Sequence, residues 1–332
     1  MVSNAPHAPV TLGGVRLRLR RWLGWSALFL GLTALLQWSG RRLLSGQAAA
    51  ARAEIFAHPL SGGPPVGDKV YRHRASGRMD VLVLGDSIAA GLGAERRRDT
   101  IGARLAKKLA KHTDATVHLR NAAVSGAQTS AVLDQIAQLP EDYRPDLAVV
   151  IVGGNDVTHN VAIRRSAADL GEVLDRLQEL GAVVIVATCP NLGAIRPLRQ
   201  PLRALAAQRS ALLATAQRRV ALSKGARAVS LGRVVGPIFL AEPETMISLD
   251  RFHPSAGGYR RIAQAMWPSV LAAVGDAAGG VNARLHVGSH ALRAERVRGQ
   301  QQLHAAFLGG AHDARCRYRE VRFHQGAADP TA

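Results

Sequence analysis

A serine hydroxyl becomes a useful nucleophile only where an imidazole can take its proton and a third group fixes that imidazole. The chain carries both partners in motifs far apart in sequence. Gly85-Asp86-Ser87-Ile88-Ala89-Ala90-Gly91 follows a short apolar run, so Ser87 falls where the chain must turn sharply, with glycines to allow it. Asp250-Arg251-Phe252-His253-Pro254 places Asp250 three residues before His253, close enough for one loop to present both. Between them stand Asn121-Ala122-Ala123-Val124-Ser125-Gly126 and Gly153-Gly154-Asn155-Asp156. A Gly126 amide and an Asn155 side-chain amide, beside the amide of Ser87, are donors of the kind that hold the charge building on a carbonyl oxygen during acyl transfer. Taken singly, each has an ordinary explanation. Ser87, Gly126 and Asn155 would be turn residues and His253 a surface histidine near a helix start.

Competing chemistries lack their residues. No Lys follows the last glycine of the Ser87 motif, as a phosphate-cradling loop requires, and the three spaced glycines of a dinucleotide fingerprint are missing. Ala89 replaces the second glycine of an α/β-hydrolase nucleophile elbow. Cys189 and Cys316 fit no zinc-ligand spacing and are read as unpaired thiols, although an oxidising compartment would allow a disulfide. The net charge of +19 divides into +9 for residues 1–78, +7 for 79–275 and +3 for 276–332, so no single folded surface carries it. With 4% aromatic residues and no basic patch interleaved with them, nucleic-acid binding is excluded as the expected partner class.

The motifs need a scaffold that brings strand ends together, and the pattern supplies one. Short β-branched runs at 80–84, 116–119, 147–152, 183–188 and 226–231 alternate with amphipathic stretches at 101–111, 130–139, 167–180, 202–223 and 255–274. Five strands, each followed by a helix, predict an α/β domain at 79–275: a three-layer α/β/α unit around a five-stranded parallel sheet. In such sheets functional groups collect on loops at the carboxyl ends of strands, where all four motifs fall.

Residues 22–40 form a charge-free, Leu- and Ala-rich run that as a helix would span roughly 28 Å, the thickness of a bilayer core. Trp22, Trp25 and Trp38 sit at its ends and arginines flank it. It is expected to be a transmembrane helix, with 1–21 a basic cytoplasmic leader and the catalytic domain extracytoplasmic. A cleaved signal peptide and a secreted domain are the alternative, since small residues at 48–51 follow the run. Residues 41–78 read as a linker and 276–332 as a poorly ordered basic tail.

From about Asp80 to Val274 the four blocks, in their order and spacing, resemble the SGNH hydrolase (GDSL-like lipase/esterase) family, with Ile88 where the family name has Leu. The resemblance implies a flavodoxin-like fold with Ser87 as nucleophile and Asp250 and His253 completing a triad. It implies an oxyanion hole made by the amides of Ser87 and Gly126 and the side chain of Asn155. Two-step cleavage of a small-molecule, lipid or glycan ester through an acyl-serine would need no metal or organic cofactor. An acyltransferase using the same residues stays open, as does a membrane-tethered binding module without activity. Oligomeric state is not legible in the sequence.

Overall fold

Alternating apolar runs and amphipathic helices assemble, in the computed structural model, into a sheet covered on both faces. The structure describes residues 12–58, 60, 62–65, 68–72, 77–113 and 115–280. In chain order the first elements are α1 (Leu12–Phe56), β1 (Lys69–Tyr71), β2 (Gly77–Gly85), α2 (Ser87–Ala90), α3 (Ile101–His112), β3 (Ala115–Asn121), α4 (Ala131–Ala137) and β4 (Leu147–Ile151). They continue with α5 (Gly154–Thr158), α6 (Ile163–Glu179), β5 (Val183–Ala187), α7 (Leu202–Ser223) and β6 (Arg227–Val229). Three short helices, α8 (Leu231–Val234), α9 (Gly236–Ala241) and α10 (Pro243–Met246), precede α11 (Ala256–Gly280).

The sheet has six strands in the order β1-β3-β2-β4-β5-β6. Strands β2 to β6 are parallel, matching the five expected. The sheet is nonetheless mixed, because β1 adds an antiparallel edge with Val70 opposite His118. The stretch 41–78, read as a linker, therefore holds the end of α1 and a strand. Its edge strand has only three residues, and its pairing with β3 rather than any periodicity of its own creates it.

Side chains of β2 alternate between two cores, as the two-residue period of a strand requires. Val81 and Val83 face one cluster with Leu105 and Leu109 of α3 and Ile262 and Met266 of α11. Leu82 and Leu84 face the other, with Leu170, Val173, Leu174 and Leu177 of α6. All of these are essentially inaccessible to solvent, and each such side chain contributes about 1.5–3 kcal/mol by its burial. The chain leaves β2 for β3 on one side and returns to β4 on the other, so a crevice opens at the carboxyl end of β2.

Helix α1 covers the whole of the expected membrane span, yet no helix among the described residues is long and apolar enough to cross a membrane. Ser26, Thr33, Gln37 and Ser39 dilute the apolar run, which corrects the expectation of a transmembrane helix at 22–40. Most of the basic tail, 281–332 with Cys316, and residues 1–11 of the leader lie outside the described residues.

Candidate active site

Strand β2 ends against its neighbour so closely that only glycine fits. Gly85 has φ +132°, and a Cβ there would lie 1.8 Å from the carbonyl oxygen of Ile151. Asp86 then caps α2, its side chain accepting from the Ile88 N–H at 2.9 Å, so that Ser87 opens the helix at the lip of the crevice. Burial pushes the Asp86 carboxyl up to about 7, against hydrogen bonds from the Ile88, Gly154 and Ala89 amides and with the charge of Asp156 adding to the rise. Both aspartates hold loops: Asp156 accepts from the Thr129 N–H at 3.1 Å.

The second half of the site arrives on the loop before α11. His253 Nε2 lies 2.9 Å from Ser87 Oγ, and His253 Nδ1 lies 2.5 Å from Asp250 Oδ2. A carboxylate can only accept, so Nδ1 carries the proton and Nε2 is left to accept from the serine hydroxyl. Ser87 and His253 are each 8% exposed and Asp250 4%. The loop is built around that carboxylate: Asp250 Oδ1 receives Ser248 Oγ at 2.7 Å and the amides of Phe252 and His253 at 3.0 Å. Burial alone would raise the Asp250 carboxyl, but the bonds from His253 and Ser248 outweigh it and hold it down at about 2.

The remaining candidates are placed differently from one another. Asn155, on α5, lines the same cleft as Ser87 and His253 and donates from Nδ2 to the Ala127 carbonyl at 3.1 Å. Gly126 occupies an exposed turn at φ +85° and is not among the residues lining that cleft. Its loop is tied on both sides, by Asn155 at Ala127 and by the Val124 N–H to the Gly85 carbonyl at 3.0 Å.

The cleft encloses about 760 Å³ counted out to its open mouth. Beyond the polar group at its base, its walls are Leu192, Ile195, Leu231, Val235, Phe239 and Ile247. The loop after β5 edges the cleft through Pro190, Asn191, Leu192, Ala194 and Ile195, and its arginines stay outside the lining. Arg196 is paired with Glu244, and Arg203 donates to the Arg196 carbonyl at 3.0 Å. Cys189 is buried beneath this loop, where burial pushes its thiol well above the ordinary range and leaves it a poor nucleophile.

Sequence reasoning missed several residues that shape the site. Gln135, on the buried face of α4, donates to the Gly85 carbonyl at 2.8 Å and accepts its N–H at 2.9 Å. Gln217, on α7, likewise bridges the Val152 carbonyl at 3.0 Å and the Cys189 amide at 2.7 Å. Their only signal was a glutamine set among apolar helix positions. Gly93 packs so tightly that a Cβ there would meet His253 Cβ at 3.0 Å and the Pro254 carbonyl oxygen at 2.5 Å.

A family model of GDSL-like lipases and acylhydrolases matches residues 83–261, which spans the crevice and all five candidate residues. The chain belongs to this GDSL-like family. Membership makes it a hydrolase of carboxylic esters. It is 40% identical over 231 residues to a GDSL-like esterase of Mycobacterium tuberculosis, covering 66% of this chain and 73% of that protein. It is 26% identical over 198 residues to esterase TesA of Pseudomonas aeruginosa, covering 57% of this chain and 87% of the relative. A crystal structure of TesA superposes with a TM-score of 0.49 at 22% identity, covering 59% of this chain and 99% of that one.

Proposed function

We propose that this GDSL-like protein cleaves esters of extended acyl chains through a covalent acyl-Ser87 intermediate. The observation that carries the reading is the Ser87–His253–Asp250 relay at the base of an apolar cleft. Ser87 Oγ attacks the ester carbonyl while His253 Nε2 takes its proton, and ionised Asp250 stabilises the imidazolium. The oxyanion forms beside the amide of Ser87, with Gly126 and the second N–H of the Asn155 amide as further donors. Collapse expels the alcohol, which takes the proton from His253. Water, deprotonated by the same imidazole, then releases the acid and restores Ser87.

The acyl group lies along Leu192, Ile195, Val235 and Phe239, where an acetyl group would leave apolar wall uncovered. Hydrolysis of p-nitrophenyl esters from acetyl to palmitoyl by the full chain tests this. A kcat/KM that rises with chain length beyond acetyl supports the reading, and a preference for acetyl contradicts it. Products formed with and without an added hydroxyl acceptor separate hydrolysis from acyl transfer.

The same reading places the domain outside the cytoplasm, with α1 lying against a membrane surface rather than crossing it. Phe29, Leu30, Leu32, Leu35, Leu36 and Trp38 are all exposed on that helix, followed by Arg41 and Arg42. Recovery with membranes after cell fractionation, and digestion by protease added to intact cells, are the expected results. A soluble protein beginning near residue 50 would point to signal cleavage instead.

A further inference from the structure

Helix α1 does more than leave the domain. Its second half lies on the domain with one face inward: Leu44, Gln47, Ala48, Ala51, Glu54 and Ile55 recur every three or four residues and are half-buried or buried, Ala51 being 4% exposed. Gln47 fastens this face at one point, donating to the Gln200 carbonyl at 2.7 Å and accepting the Leu202 N–H at 3.2 Å at the start of α7. Glu54 fastens it at a second, where Arg251 Nη1 lies 2.7 Å from its Oε1.

Arg251 stands between the two acidic and basic members of the triad. It adopts φ +60°, a left-handed conformation costly for a residue with a side chain, and its N–H closes the turn onto the Ser248 carbonyl at 2.9 Å. That turn delivers Asp250 Oδ1 to the Phe252 and His253 amides and Asp250 Oδ2 to the imidazole. If Arg251 relaxed to negative φ, the Asp250 carboxylate would rotate away from His253. A tether on its side chain opposes that relaxation from outside the catalytic domain, 197 residues away in sequence.

We propose that the docked end of α1 is a positioning element of the catalytic loop, with Glu54 acting on His253 through Arg251. The proposal rests on the ester-hydrolase reading for its kinetic consequence, though not for its geometry. Because α1 is one continuous helix, the exposed apolar stretch at 29–38 and the clasp on the triad loop belong to the same rod.

The test uses the full chain and three variants: E54R, R251E and the exchange E54R/R251E. Each single variant is expected to lower kcat about three- to tenfold, the scale of losing an exposed pair and adding repulsion. KM should stay within about twofold, since the cleft is untouched, and the exchange should recover most of kcat. A second readout needs no turnover: the far-downfield NMR signal of the His253 Nδ1 proton should be sharp in the parent and the exchange and broadened in both single variants. Unchanged kcat and signal in the single variants, or no recovery in the exchange, would overturn the proposal. A parent that hydrolyses no ester overturns the hydrolase reading instead, and the Nδ1 signal still decides the role of Glu54.

Discussion

His253 sits between a carboxylate that can only accept and a hydroxyl that can donate, and this asymmetry selects the tautomer that makes Ser87 reactive. Asp250→Asn presents an amide N–H to the ring and favours the wrong tautomer, so kcat should fall about 10⁴-fold with little change in KM. Steady-state kinetics on one ester checks this. The two buried aspartates shape stability in opposite directions with pH. Asp250 is held at about 2, so its contribution is present above the ordinary carboxylate value of 3.8 and is lost as pH falls through about 2. Asp86 is raised to about 7, so its contribution is present below 3.8 and is lost as pH climbs through about 7. Asp86→Asn should therefore flatten the decline in stability between about pH 4 and pH 7. Melting temperatures of variant and parent that run parallel across that window would show that Asp86 does not titrate there.

At the level of elements, the strand-to-loop junctions were legible because buried parallel strands are continuous apolar runs and their ends are marked by Gly, Asn and Asp. All five parallel strands were found this way, and so were the long helices α3, α6, α7 and α11. Strand β1 was not, because Lys69-Val70-Tyr71 has no pattern and exists only by pairing with β3. Helices α8 to α10 were missed for a related reason. None exceeds six residues, too few for helical periodicity to register, and they are held by packing around the cleft. The buried glutamines were invisible as clamps, since what they grip is backbone. Gln135→Leu leaves the buried N–H of Gly85 unpaired, and its carbonyl with the Val124 N–H alone, and should cost about 1–3 kcal/mol in urea unfolding. Val235→Trp should fill the cleft and shift preference toward shorter acyl chains on the same ester series, because Val235 forms its wall at 6% exposure.

For the whole molecule, charge and composition located the catalytic unit but not its true beginning. The +9 excess before residue 79 reads as a leader and linker, yet α1 returns along the domain to reach Arg251. That contact depends on a fold that brings residue 54 beside residue 251, which no local pattern announces. The triad was legible for the opposite reason. Its members lie at the ends of elements whose types the sequence declares, and a parallel sheet has one end at which to gather them. The central claim is that Ser87 carries the acyl group, with His253 as its base. Intact-protein mass spectrometry after mixing with a p-nitrophenyl ester or an alkyl fluorophosphonate tests it directly. A single adduct on the peptide containing Ser87, absent in Ser87→Ala and strongly slowed in His253→Ala, is the expected result. An adduct on another residue, or equal turnover by Ser87→Ala, would contradict it.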